Sequence, residues 1–167
     1  MNRLFFFMLF LFSTLNSCSQ GKYAGRGLKK LIGTTYINEE DINALKGFTY
    51  RSGTLISDIN DPVQQLLTVL KNGKTGVVLY REKEDTVTKV SHIVDVLTIK
   101  NIPEGWEIRT IGCQEGETEG EIIVALVNPG NEEYAKTIKQ AWRCNRDKIR
   151  FEAISVKNIK CVNEGGD

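Results

Sequence analysis

From Gly76 onward the chain reads as strand after strand, each short and each closed by its own turn signal. Apolar residues recur at period two, the spacing of one face of a pleated strand, over residues 77–83, 88–99, 106–113, 122–127, 137–145 and 149–154. Between these runs stand Glu84-Asp85, Asn101-Ile102-Pro103-Glu104-Gly105, residues 114–120, Asn128-Pro129-Gly130 and Arg146-Asp147, all rich in turn-forming residues. Connections this short join antiparallel neighbours, because a parallel pair needs a crossover of about a dozen residues or more. A meander of about six strands is expected. In the fifth, alternation puts Ile138, Gln140, Trp142 and Cys144 on one face.

Two helices are expected ahead of the meander. Asn38-Glu39-Glu40-Asp41 sets a cap and three acids before Ile42 and Leu45, where negative charge suits the helix dipole, and Gly47 ends the turn. The second helix covers residues 61–72. Asp61 caps it, Pro62 takes the first helical position and Gln64 completes a capping box. Val63, Leu66, Leu67 and Leu70 follow at i, i+3, i+4 and i+7, with Gly73 as the stop. Helices first and strands after argue an α+β domain, with the helix of residues 61–72 packed on one sheet face.

The first eighteen residues carry a different signal. Arg3 precedes nine apolar residues, 4–12, and Leu15-Asn16-Ser17-Cys18 follows. That run is far short of the ~20 residues that span a bilayer as a helix, so residues 1–17 read as a secretory signal peptide. The quartet resembles the lipobox of bacterial lipoproteins, with an aliphatic residue, a small residue and then the cysteine; the rival reading is an ordinary signal with an incidental cysteine. The resemblance implies that the Cys18 thiol takes diacylglycerol and that its new amino group can be acylated, with palmitate as a typical chain. Two or three acyl chains, at ~0.8 kcal/mol per buried CH₂, anchor a protein without other membrane contact. The implied location is the bacterial cell envelope. Ser19 is not the aspartate that retains such proteins at the inner membrane, which points to the outer membrane.

Cutting after residue 17 leaves 150 residues, enough for one domain with a substantial core. Residues 18–31 hold three glycines and four basic groups with little apolar content, the composition of a flexible tether; residues 32–167 form the domain. The full chain has 22 basic and 21 acidic side chains, and Arg3 leaves with the signal, so the mature chain is balanced. A nucleic-acid binder needs a basic surplus to displace counterions, and none is present.

Chemistry-bearing residues are few. The mature part beyond Cys18 has Cys113, Cys144 and Cys161, an odd number that fits one disulfide and one spare thiol in an oxidising compartment. No two of them are close in sequence and there is one histidine, which argues against a metal site. That histidine, His92, lies mid-strand with no nucleophile motif to serve, and reads as a structural or surface residue. Four glutamates alternate through residues 115–121 without the aspartate-rich spacing of a calcium loop, and read as a solvated turn. Trp142 and Trp106 read as core under the helix; on an uncovered sheet face they would instead form a binding surface for a protein or glycan partner.

Ala141-Trp142-Arg143, Phe151-Glu152-Ala153-Ile154, Ile159-Lys160-Cys161 and Asn163-Glu164-Gly165 together resemble the tail of an uncharacterised family of small exported proteins of Bacteroidota, over roughly residues 90–165. The resemblance implies a recurrent single-domain fold and no activity. It also implies a Cys113–Cys161 bridge with Cys144 spare.

The expectation is a lipid-anchored module that binds a partner, needs no cofactor beyond the lipid on Cys18, and touches the membrane through that anchor. An immunity or inhibitor protein against a secreted toxin or hydrolase is one rival, favoured by a free edge strand or an exposed tryptophan face. An envelope enzyme is the other. It needs His92 in a cleft beside a carboxylate such as Asp95 or Glu107.

Overall fold

Residues 76–80 and 123–127 are buried one after another, and a strand achieves this only when both of its faces are covered. The computed structural model describes residues 27–83, 89–116 and 120–163, and within them the chain builds eleven strands in three antiparallel sheets.

The front sheet has five strands: β1 (Thr35–Tyr36), β2 (Thr49–Leu55), β3 (Gln64–Asn72), β4 (Thr75–Lys83) and β5 (Ser91–Ile99), in the order β1-β5-β4-β3-β2. The back sheet contains β6 (Glu107–Arg109), β8 (Ile123–Asn128), β9 (Thr137–Asn145) and β10 (Arg150–Ile154), in the order β10-β9-β8-β6. A two-stranded sheet pairs β7 (Cys113–Glu115) with β11 (Ile159–Cys161).

These pieces stack in layers. Leu67, Val69, Val78 and Tyr80 of the front sheet meet Val124, Cys144, Trp142 and Phe151 of the back sheet in the central core. The front sheet's other face is covered by the N-terminal segment, through Leu28, Leu31, Ile42 and Leu45. The back sheet's other face is covered by the small sheet, through Cys113, Ile159 and Cys161. Leu28 and Leu31 fall in the stretch whose composition reads as tether; both are buried here. The signal peptide, Cys18 and residues 19–26 lie outside the described residues.

The α+β expectation is overturned: the fold is antiparallel β, and among the described residues no long helix packs on a sheet, only a helical turn at residues 27–29 and two 3-10 turns. Residues 61–72 are not a helix. Their larger part is β3, a strand interior to the front sheet that buries Leu67, Thr68, Val69 and Leu70 in succession. With one face against the back sheet and the other against the N-terminal layer, such a strand shows no alternation, and its leucines match a helical period by coincidence. Asp61 caps no helix; its carboxylate accepts the N–H of Asp58 at 3.0 Å inside the preceding turn. Gly73 does not end a helix either. It has φ 53 and opens the two-residue turn between paired Asn72 and Thr75, where a type II′ hairpin places glycine.

The first expected helix is also corrected. Residues 38–47 form two single 3-10 turns, Glu39–Asp41 and Asn43–Leu45, broken by extended Ile42, and Asn38 makes no capping bond. The run 106–113 splits between two sheets as β6 and β7, with Gly112 at φ 70 in the corner. Lys139 is left unpaired between Gln140 and Ile138, a bulge that sends Ile138 to the back core while Trp142 and Cys144 face the central one.

Candidate functional site

His92 sits on β5, beside the short edge strand β1. Its Nδ1 hydrogen-bonds Thr35 Oγ1 at 3.0 Å. On its other side the register places Glu82 of β4, and Gln65 of β3 follows. Gln65 Nε2 donates to Glu82 Oε1 at 3.2 Å, and Gln65 Oε1 accepts from Arg146 Nε at 3.1 Å. The result is a polar row, Thr35-His92-Glu82-Gln65, crossing four strands at one end of the front sheet. Sequence reading missed Thr35, Glu82 and Gln65 as neighbours of His92, because strand order brings them together and not spacing.

The carboxylates expected to serve His92 are engaged elsewhere. Asp95 Oδ2 accepts the Phe151 N–H at 2.7 Å and Oδ1 accepts the Val96 N–H at 2.8 Å. Glu107 lies on β6, the edge of the back sheet remote from β10, and pairs with Arg109 at 2.6 Å. A hydroxyl bonded to an imidazole is half of a nucleophile–base arrangement. The two grooves of the front layer do not include His92 in their lining.

Tyr36 and Arg81 form a second polar cluster. Arg81 Nη1 meets Glu39 Oε1 at 3.0 Å and Ser91 Oγ at 3.5 Å, tying the first 3-10 turn to β4. Tyr36 Oη and Arg81 Nε are buried without a hydrogen-bond partner. Burial pushes the Tyr36 phenol above its usual range, with Arg81 opposing. Above it lies a shallow groove of about 490 Å³, walled by Leu31, Tyr36, Ile37 and Ile42 with Thr35, Asp41 and Asn43 at its polar positions. Its lining is mostly apolar, so it offers contact more than chemistry.

The cysteines separate cleanly. Cys113 and Cys161 face each other across β7 and β11 and form the disulfide. Cys144 is a free, buried thiol in the central core, in the same cluster as Tyr80. Burial pushes it up to about 12, so at neutral pH it is a thiol and a poor nucleophile.

Trp142 and Trp106 are both half-buried. Trp142 packs between the sheets with Val94, Leu97 and Phe151, and its cover is the front sheet, not a helix. Trp106 packs on Ile99, Ile102 and Leu126, with the Lys139 ammonium 6.0 Å from its ring centroid. Of the alternating glutamates, Glu115 and Glu121 grip Arg143 at 2.7 and 3.0 Å, while the stretch between them, residues 117–119, lies outside the described residues.

No family model, curated protein or solved structure matches this chain. The reading of function therefore rests on its own residues.

Proposed function

We propose that the protein is a lipid-anchored component of the bacterial cell envelope, held at the outer membrane through Cys18, which works by binding a partner. The observation that carries this reading is Leu15-Asn16-Ser17-Cys18 placed directly after a nine-residue apolar run. Two features support a binding role. Asp95, Cys144 and the Glu115–Arg143–Glu121 group each have a packing or bridging task. The front sheet also offers an edge, since β2 pairs with β3 alone among the described strands.

That edge favours one more specific version, an immunity or inhibitor protein that receives a strand of a secreted toxin or hydrolase. β2 is seven residues long, and Tyr50 on it is 62 % exposed. Main-chain hydrogen bonds along such an edge give affinity and its side chains give selectivity.

Labelled palmitate tests the anchor. Cells producing the full chain should incorporate label into it, and the Cys18→Ala chain should carry none. Label persisting in the Cys18→Ala chain would refute the reading. For the immunity version, a proline at Gly53 should abolish protection against the toxin and leave labelling intact.

A further inference from the structure

The chain enters the described fold at one particular end of the sandwich. Gly27 and Leu28 line a groove together with Phe48, Asn72 and Thr75, so the N-terminal segment arrives beside the β3–β4 hairpin. Gly47 lies against the same hairpin, where an added Cβ would meet the Asn72 amide at 3.3 Å. Next to it, Thr49 Oγ1 donates to the Lys71 carbonyl at 3.0 Å. Around this meeting point stand exposed Lys29, Lys30, Lys46 and Lys74 and half-buried Lys71.

These lysines differ from the cations gathered at the opposite end of the sandwich. There Arg81 is matched by Glu39, Arg146 by Asp61, and Lys148 and Arg150 by Glu152. Among the described residues no ion pair uses Lys29, Lys30, Lys46, Lys71 or Lys74. Five lysines with no ion pair among the described residues thus stand where the described chain begins, with Glu104 the nearby acid on the loop that the Ile102 N–H ties to the Lys74 carbonyl.

What precedes that point is a matter of sequence. Residues 1–26 contain the apolar run, Cys18, Lys22 and Arg26, and no acid. From residue 18 to residue 27 the backbone reaches at most about 30 Å. An anchor at or before Cys18 therefore holds the domain by its lysine-bearing end, at high effective concentration over the membrane.

We infer that this end is a docking face for an anionic phospholipid surface, and that it orients the domain on the membrane. The inference rests on the membrane-anchor reading. Each lysine brought to an anionic surface strengthens binding about five-fold. Salt screens that attraction.

The test uses the full chain reconstituted into vesicles of phosphatidylcholine alone or of phosphatidylcholine with phosphatidylglycerol, followed by acetylation of lysines and mass spectrometry. In the anionic vesicles Lys29, Lys30, Lys46 and Lys74 should label several-fold more slowly than Lys148 and Lys157. High salt or neutral vesicles should erase the difference. Uniform labelling in anionic vesicles would overturn the inference.

If the chain fails to stay in vesicles of either kind, the anchor reading fails, and co-sedimentation of the added chain still decides the face. Binding to anionic vesicles that is lost in the K29Q/K30Q/K46Q/K74Q chain upholds it. Binding that survives the four substitutions, or no binding by the unaltered chain, rejects it.

Discussion

The Asp95 carboxylate on β5 accepts a hydrogen bond from the Phe151 N–H on β10, 2.7 Å away, and so joins the front sheet to the edge of the back sheet. Its second oxygen accepts the N–H of Val96 at 2.8 Å. Hydrogen bonds to charged groups contribute about 1.5–3 kcal/mol, and a half-buried donor left alone costs a similar amount. Asp95→Ala should therefore lower stability in urea by about 2–3 kcal/mol. Asp95→Asn, which keeps a carbonyl oxygen for Phe151, should lose less. Equal midpoints for Asp95→Ala and the unaltered chain would show that the bond contributes nothing.

The Cys113–Cys161 bridge spans 48 residues of chain. In the chain-entropy treatment a loop of that size stabilises by about 4 kcal/mol. Reduction, or Cys113→Ser with Cys161→Ser, should lower the unfolding free energy by that order. Cys144 should resist thiol reagents at neutral pH until the protein unfolds, because its thiol is buried and pushed up to about 12. Rapid labelling of Cys144 in the folded protein would contradict its placement in the central core.

Glu152 collects three partners: Arg150 at 2.7 Å, Asn145 at 3.1 Å and Lys148 at 3.1 Å. Arg150 foremost, then Asn145 and Lys148, hold its carboxyl down at about 2, against an ordinary 4.5. The carboxylate therefore stabilises the fold fully above pH 4.5 and stops doing so as pH falls toward 2. Glu152→Gln should be less stable than the unaltered chain at neutral pH, with the gap closing across that acid window. Salt should shrink the gap, since the group and its Lys148 and Arg150 partners are partly open to solvent. A gap that stayed constant with pH would remove Glu152 from the acid response.

Gly76 of the front sheet lies directly against Ile108 of β6 and against Ile102 in the loop before it. A Cβ there would collide with Ile108 Cδ1 and crowd Ile102 Cδ1 at 3.0 Å. Overpacking of this kind costs typically about 1–3 kcal/mol. Gly76→Ala should be destabilised by that order, and adding Ile108→Val should restore part of the loss. A double-mutant cycle with zero coupling would show that the two do not touch.

What the sequence disclosed depended on how many faces of a strand are covered. β9 matches the expected run at both ends, residues 137 and 145, and β4, β8 and β10 fall within two residues of their expected limits. β3 did not show itself, because its buried Leu67-Thr68-Val69-Leu70 carries no period and Asp61-Pro62 imitates a helix start. The Asn72-Gly73 pair between two apolar runs was the competing hairpin signal. β2 went unseen as well; its Arg51 bulge breaks the alternation. The disulfide pairing came through the resemblance of the tail. Thr35, Glu82 and Gln65 around His92 could be found only from strand order, since the register that aligns them is a tertiary property.

The strand that finishes the back of the molecule, β11, follows all the other described strands in the chain. Cys113 emerges early and needs a partner that follows at residue 161, while Cys144 appears in between. An oxidant meeting the growing chain would thus encounter the wrong pair of thiols first. The β8–β9 hairpin carries Cys144 against Val124 and Tyr80, out of reach of solvent. Hairpins close within microseconds and disulfides form in seconds or longer. Packing of that hairpin on the front sheet before oxidation would leave Cys113 and Cys161 as the accessible pair.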